Sequence, residues 1–273
     1  MDFSRINGSG LVLLGCGKMG SAMLQGWLAG GIDPASVYIL DPKPSDWVKA
    51  RAAEGVHLNE DLPAAPAICI VAVKPQMMGD ALPALKALGG GGTIFLSIAA
   101  GTPIAIFEDF FGAEAPIVRA MPNTPAAVGR GITALIGNAR ATDQDLDLAE
   151  GLLQAVGQTV RLASEDQMDA VTAVSGSGPA YVFHMIEALA AAGEAEGLDA
   201  GLAMALAKAT VAGAGALAEA ADESPSQLRI NVTSPNGTTQ AALEVLMDPE
   251  TGLPPLMRRT VKAAADRSRE LGK

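Results

Sequence analysis

Basic side chains are in short supply. Nineteen Lys and Arg stand against 30 Asp and Glu, a formal net charge of −11 with a sequence pI near 4.6. That balance excludes the basic footprint a nucleic-acid binder needs, and an anionic membrane surface would repel the chain. Aromatics make up only 4% of the sequence, so Gly and Ala must do much of the packing through close helix contacts. The two cysteines, Cys16 and Cys69, each sit in an apolar or Gly-rich segment, and both are expected to be reduced in a cytoplasmic protein. The opening "MDFSRINGSG" lacks a basic n-region followed by an apolar h-region, so no secretory signal is expected there. One run, Ala200 to Ala220, has the length of a membrane span, yet it carries Lys208 and Glu219 and is built from Ala and Gly. It is expected to be a buried helix of a globular core.

What remains is 49% hydrophobic over 273 residues, enough for two domains. The first half alternates short apolar runs with helical patterns. "LVLL" (Leu11 to Leu14), "VYIL" (Val37 to Leu40), "AICIVAV" (Ala67 to Val73), "TIFLSIA" (Thr93 to Ala99), "PIVRAM" (Pro116 to Met121) and "ITALI" (Ile132 to Ile136) read as strands. "TVRLA" (Thr159 to Ala163) reads as an edge strand. Helices are expected over Met19 to Ala29, Met77 to Leu88, Pro103 to Phe110 and, behind a Thr/Asp cap, Thr142 to Val156. Such alternation predicts an α/β domain with a parallel sheet covered on both faces. After Ser164 only helical spacing remains, ending in an amphipathic helix over Leu253 to Leu271. The predicted division is residues 1–163 and 164–273. The Ala-rich helices of the second part carry too little charge for a lone bundle, which predicts packing against a second chain.

"VLLGCGKMGSAMLQGWL" places Gly15, Gly17 and Gly20 in G-x-G-x-x-G spacing, directly after a strand and opening a helix. In that context the first Gly makes the tight turn, the second admits a pyrophosphate, and the third lets helix and strand approach. The phosphates would rest on the helix N-terminus from Lys18 onward. Asp41 stands 21 residues past Gly20 and would accept the adenosine ribose hydroxyls, whereas Lys43 would meet a 2′-phosphate. NADP and NAD both stay open. "AVKPQ" (Ala72 to Gln76), with its lone cation Lys74, and "MPNTPAAVG" (Met121 to Gly129) end further strands, where an open sheet binds ligands. Asn123 and Thr124 are placed to reach a nicotinamide edge. "SIAAG" (Ser97 to Gly101) leaves room for a flat ring.

"NVTSPNGTTQAAL" (Asn231 to Leu243) brings Thr233, Ser234, Thr238 and Thr239 into an otherwise apolar region. It feeds a helix N-terminus, where hydroxyls and free N–H groups can hold an anion. "SGSGPAY" (Ser175 to Tyr181) is expected to start a helix with Pro179 in first position, a second anion site.

"GCGKMG", "AVKPQ", "RAMPNTPAAVGRG", "DAVTAVSGSGPAY" and "VTSPNGTT", in this order from Leu11 to about Leu246, resemble the pyrroline-5-carboxylate reductase family. The resemblance implies reduction of 1-pyrroline-5-carboxylate, a small cyclic imine, to L-proline with NADPH or NADH. It implies a Rossmann-like N-terminal domain followed by an all-helical C-terminal dimerisation domain, as a homodimer or a ring of dimers. It further implies that Leu14, Gly15, Cys16, Gly17, Lys18 and Met19 line the pyrophosphate. Asp41, Lys43 and Asn59 then lie at the adenosine side, with Ala72, Val73, Lys74, Pro75, Ala99, Ala100 and Gly101 framing the cofactor. Ser234, Gly237, Thr238 and Thr239 would hold the substrate's carboxylate and ring nitrogen, with Ser175 and Ser177 nearby. Where the family has Gly and commonly Asp, this chain has Asn236 and Ile230. Asn tolerates positive φ, but an ion pair anchoring the loop at position 230 is lost.

Ketone reduction calls for a proton donor. Only two histidines exist: His57 in the cofactor half and His184 on an apolar helix face, where a core role is expected. An iminium already carries its charge and loses it as hydride arrives, so a pocket of hydroxyls suffices. Thr239 is placed at the ring nitrogen, with Ser234 and the N–H groups of Gly237 to Thr239 at the carboxylate. No metal site is expected. A β-hydroxyacid-dehydrogenase-like oxidoreductase would need a helical Lys followed one turn later by Asn, but Lys208 is followed by Ala212. A non-catalytic dinucleotide-binding dimer scaffold is the remaining alternative.

Overall fold

The computed structural model describes residues 3–272. The chain divides into two compact units. One runs to Gly176 and takes back the chain from Ala265 onward; the other is Ser177–Ala264.

In the first unit, eight strands form one sheet. They are β1 Leu11–Leu14, β2 Val37–Leu40, β3 His57–Leu58, β4 Ile68–Val71, β5 Ile94–Ser97, β6 Ile117–Met121, β7 Gly131–Gly137 and β8 Gly157–Arg161. Their order is β3-β2-β1-β4-β5-β6-β7-β8. Sequence expectation and structure agree on seven strands to within a few residues. The eighth, β3, is two residues long and carries no apolar run to announce it. The β8 strand lies at the sheet edge as expected.

The sheet departs from the all-parallel expectation at one place: β6 and β7 pair antiparallel, Arg119 opposite Ile136. The reason lies in the connection. A parallel return needs a crossover of a dozen residues or more, and the "PNTPAAVGR" segment supplies only a short 3-10 turn, Thr124–Val128, closed by Gly129 at φ +70.

Helices α1 Ser4–Ser9, α2 Lys18–Ala29, α3 Asp46–Ala52, α4 Met78–Ala81, α5 Ile104–Phe111, α6 Asp143–Gln154 and α7 Met168–Val171 accompany the sheet. The helix expected over Met77 to Leu88 is broken. Only α4 is α-helical, flanked by 3-10 turns Pro75–Met77 and Leu82–Leu88, because Pro83 lacks the N–H an α-helix would use there. Alternate strand residues face opposite ways, which explains why the strands are apolar throughout. Leu11, Leu13, Ile68 and Ile70 pack on Met23, Leu24 and Trp27 of α2 and Leu152 of α6. Val12, Leu14, Cys69 and Phe95 pack on Leu85 and on Phe107 and Phe111 of α5. Each fully buried side chain of this size contributes about 1.5–3 kcal/mol. A capping box on Thr142 and Asp145 opens α6.

The second unit holds α8 Gly178–Ala195, α9 Ala200–Ala220, α10 Pro225–Asn231, α11 Thr238–Leu246 and most of α12 Leu253–Leu271. Small residues bring α8 and α9 together, with Gly193 facing Ala203. The expectation that Ala200 to Ala220 is a buried helix needs correction. Of α9, only Ala203 and Ala207 are buried, and Leu202, Leu206 and Leu217 are half exposed. Within one copy, the described residues leave that face uncovered. By length and composition α9 is the one described helix that would suffice to cross a membrane.

Candidate active site

The turn after β1 is built as its spacing predicts. Gly15 has φ +86, its N–H donates to Leu40 O at 2.8 Å, and a Cβ there would stand 2.8 Å from Val73 Cγ1. A Cβ on Gly20 would stand 2.7 Å from Gly15 O, so the helix approaches the turn only because that side chain is missing. Gly17 differs: beyond its two chain neighbours, none of the described residues comes within 4 Å of where its Cβ would be. It caps α2 with no side-chain acceptor, so the first N–H groups of the helix, at Lys18, Met19 and Gly20, are left for a ligand. Ser21 Oγ donates to Cys16 O at 3.0 Å and steadies the turn.

Asp41, at the end of β2, is tied into this turn. Its Oδ2 accepts the Cys16 N–H at 2.9 Å and its Oδ1 the Lys43 N–H at 2.8 Å. Asn59, left-handed at φ +55, accepts the Asp41 N–H and donates back to Asp41 O, both at 2.9 Å. The three residues expected at the adenosine side, Asp41, Lys43 and Asn59, therefore form one hydrogen-bonded corner beside the glycine turn.

At the C-terminal ends of β1, β4, β5 and β6 lies a cleft of about 230 Å³ lined by Met19, Ala72, Val73, Lys74, Pro75, Ile98, Ala99, Ala100, Met121 and Pro122. It gathers seven of the residues expected at the cofactor. Gly101, at φ +69, follows them. Ile98, Met121 and Pro122 were not among the named cofactor residues. Asn123 does not line this cleft: it is buried, and its Oδ1 accepts the Ile132 N–H at 2.9 Å, fixing the β6–β7 connection. The open helix N-terminus, the side-chain gap at Gly17 and the small-residue wall at Ala99 and Ala100 fit a dinucleotide.

Two residues before Met121 on β6, Arg119 is buried and pairs with Glu165 at 2.6 Å. Glu165 Oε1 also accepts the Ile104 N–H at the start of α5, at 2.9 Å. The only sequence signal was a lone cation inside an apolar strand. Glu165→Ala would leave a buried guanidinium unpaired and is expected to destabilise the fold by about 2–3 kcal/mol, less than a fully buried pair because Glu165 is partly exposed. Glu165→Gln, which keeps an acceptor, should recover much of that loss in denaturant unfolding.

The "SGSG" segment is not a loop before a fresh helix. A π turn, Thr172–Gly176, continues from α7, and Ser177 has helical angles before α8 begins at Gly178, which puts Pro179 in second position. Thr172 Oγ1 and Ser175 Oγ donate back to Met168 O and Val171 O at 2.9 and 3.1 Å, widening the turn. The Ser175 proton is thus committed within the helix. A Cβ on Gly176 would stand 2.6 Å from Met121 Cε, so the π turn presses on a side chain that lines the cleft.

In the second unit, the hydroxyl loop carries both departures from the family pattern. Asn236 takes φ +59, and its N–H donates to Gln240 Oε1 at 2.8 Å. Ile230 is exposed; the loop is anchored instead by Thr233 Oγ1 donating to Arg229 O at 2.6 Å. Gly237 caps α11 with no side-chain acceptor, but its own N–H closes a turn on Ser234 O at 3.0 Å, which removes it from the expected anion donors. The N–H groups of Thr238 and Thr239 remain in the open first turn. Among the described residues, the hydroxyls of Ser234, Thr238 and Thr239 make no hydrogen bond.

Neither histidine stands at these sites. His57 stacks on Tyr38 with ring centroids 4.3 Å apart and contacts Glu60. His184 is not a core residue: it is strongly exposed and meets Glu187 at 3.1 Å. Cys16 and Cys69 are free and buried. Burial pushes the Cys16 thiol up to about 11 and Cys69 further still, so both stay protonated.

A family model described as pyrroline-5-carboxylate reductase dimerisation matches residues 165–271. A second, described as NADP oxidoreductase, coenzyme F420-dependent, matches residues 11–101. The pyrroline-5-carboxylate reductase of Pseudomonas aeruginosa is 38% identical over 264 residues, 96% of each chain. That of Pisum sativum is 36% identical, covering 96% of this chain and 95% of its own. The solved pyrroline-5-carboxylate reductase of Coxiella burnetii is 35% identical with a TM-score of 0.89, covering 97% of this chain and 99% of its own. The Plasmodium falciparum enzyme, solved with NADP bound, is 28% identical with a TM-score of 0.82, covering 98% and 99%. A glycine turn, a strand-end cleft and a hydroxyl loop, with relatives matching almost end to end, lead to one conclusion: the chain belongs to the pyrroline-5-carboxylate reductase family.

Proposed function

We propose that the chain reduces 1-pyrroline-5-carboxylate to L-proline with NADPH or NADH, the last step of proline biosynthesis. The observation that carries this reading is the hydroxyl loop, with unpartnered Ser234, Thr238 and Thr239 at the open first turn of α11.

Leu14, Gly15, Cys16, Gly17, Lys18, Met19 and Gly20 hold the pyrophosphate. Asp41, Lys43 and Asn59 form the adenosine side, and the cleft from Ala72 to Pro75 and Ala99 to Gly101 takes the nicotinamide, with Asn123 holding the neighbouring connection. When bound, the reduced nicotinamide supplies the hydride. The imine carbon receives it, and the C=N electron pair moves onto the ring nitrogen, turning a cationic iminium into a neutral amine. No side-chain acid has to give up a proton in that step, which suits a site without a histidine. Thr239 Oγ1 contacts the ring nitrogen. Ser234 Oγ, Thr238 and the N–H groups of Thr238 and Thr239 hold the carboxylate, aided by the positive end of α11. Ser177 stands nearby, and Ser175 acts through the π turn.

Residues 1–163 form the cofactor part and 164–273 the substrate and dimerisation part, with the segment up to Gly176 and the end of α12 packed into the first unit. The open apolar faces of α8 and α9, including Phe183, Leu202 and Leu217, pack on a second copy as a homodimer or a ring of dimers. The protein works in the cytoplasm.

An anion site predicts strong dependence on the substrate's carboxylate. Comparing 1-pyrroline-5-carboxylate with 1-pyrroline, kcat/KM is expected to fall at least a hundredfold, about 2.7 kcal/mol of transition-state binding. Equal kcat/KM values would remove the carboxylate site from the reading.

A further inference from the structure

The end of α12 is built into the first unit. Ala265 and Ser268 are buried there, and Ser268 Oγ donates to Asp169 Oδ1 on α7 at 2.6 Å. The next turn reaches the loop after β5. A Cβ built on Gly101 would stand 3.0 Å from Leu271 Cβ, and one on Gly272 would stand 3.1 Å from Gly101 O and 3.8 Å from Pro103 Cγ. Ala99 and Ala100, just before Gly101, open onto the cleft. The loop leaves the sheet after Ile98, whose N–H donates to Val71 O at 3.1 Å; Ala99 N–H donates to Ser97 Oγ at 3.3 Å, and the chain is held again where Ile104 N–H meets Glu165. Between those points it includes Gly101 at φ +69, the residue type with the most backbone freedom to lose. A contact on its outer side restricts that freedom before a ligand arrives.

We propose that the last turn of α12 is a positioning element for cofactor binding: Leu271 and Gly272, pinned by the Ser268–Asp169 hydrogen bond, hold the Ala99–Gly101 loop in the form that frames the nicotinamide. This rests on the reading of the cleft as the cofactor site, and it needs no contact between α12 and the ligand.

The test measures NADPH dissociation by nucleotide fluorescence, without turnover, in the full chain, in Leu271→Ala and in a chain shortened after Ser268. Steady-state constants and Tm are measured on the same samples. The shortened chain is expected to bind NADPH at least fivefold more weakly and Leu271→Ala about threefold more weakly, with KM for 1-pyrroline-5-carboxylate within twofold of the full chain. An NADPH Kd within twofold in the shortened chain overturns the proposal. So does a joint rise in both constants with a fall in Tm, the mark of a merely structural turn. If NADPH binds with the expected shifts and no imine is reduced, the positioning role stands and the reductase reading falls.

Discussion

Gly17→Ala is expected to weaken NADPH binding at least tenfold, about 1.4 kcal/mol, while leaving the fold nearly untouched. The reason is visible in the turn. Beyond its two chain neighbours, no atom of the described residues lies within 4 Å of the position a methyl would take at Gly17, so the new group meets only what binds there. A pyrophosphate approaching the N–H groups of α2 would meet it directly. The N-cap becomes slightly poorer, which should lower Tm by about 2 °C or less. Gly20→Ala is the contrasting case. Its methyl would lie 2.7 Å from Gly15 O, a backbone atom that cannot move without opening the turn. That overpacking is expected to cost about 1–3 kcal/mol of stability and to lower Tm by several degrees. Thermal unfolding and NADPH titration of the two variants separate the roles. If Gly17→Ala binds NADPH as the parent does, the pyrophosphate does not sit on this turn.

Thr239→Ala should lower kcat/KM for 1-pyrroline-5-carboxylate by tenfold or more, on the order of 1.4 kcal/mol, with NADPH affinity unchanged. The hydroxyl has no partner within the chain among the described residues, so its removal breaks no internal bond and should barely alter Tm. Thr239→Ser, which keeps the hydroxyl, should restore most of the rate. The comparison with Thr233→Ala is instructive, because the Thr233 hydroxyl already donates to Arg229 O. That variant should lose loop stability more than transition-state binding. An unaltered kcat/KM in Thr239→Ala would remove Thr239 from the chemistry.

Much of the first unit was legible because its signals are local. Unbroken apolar runs gave the strands of a two-sided sheet, and the three glycines in their strand–turn–helix setting gave the turn. Features that depend on distant partners were not. The antiparallel β6–β7 pair depends on how short the link after Met121 is. The break near Pro83 could have been read from that residue alone. The π turn needs the side chain of Met121 against Gly176, 55 positions away in sequence. Asp41 and Asn59 are expected at a cofactor, yet the bonds from Asp41 to Cys16 and to Asn59 span 25 and 18 positions, and only the turn to Lys43 is local. His184 lies on an apolar helix face that is not the inside of one chain, so helical spacing alone points it the wrong way. On the hydroxyl loop, Asn236 settles into the left-handed conformation its chemistry permits, and Thr233 and Gln240 replace the anchor that Ile230 cannot provide.

The central claim is that this chain moves hydride onto a cyclic imine. Its most direct test follows nucleotide absorbance at 340 nm with purified protein, NADPH and NADH in parallel, before and after 1-pyrroline-5-carboxylate is added. The expected result is oxidation only after the imine is added, with one L-proline formed per nucleotide consumed. Absence of imine-dependent oxidation with both nucleotides, or oxidation without proline, would contradict it.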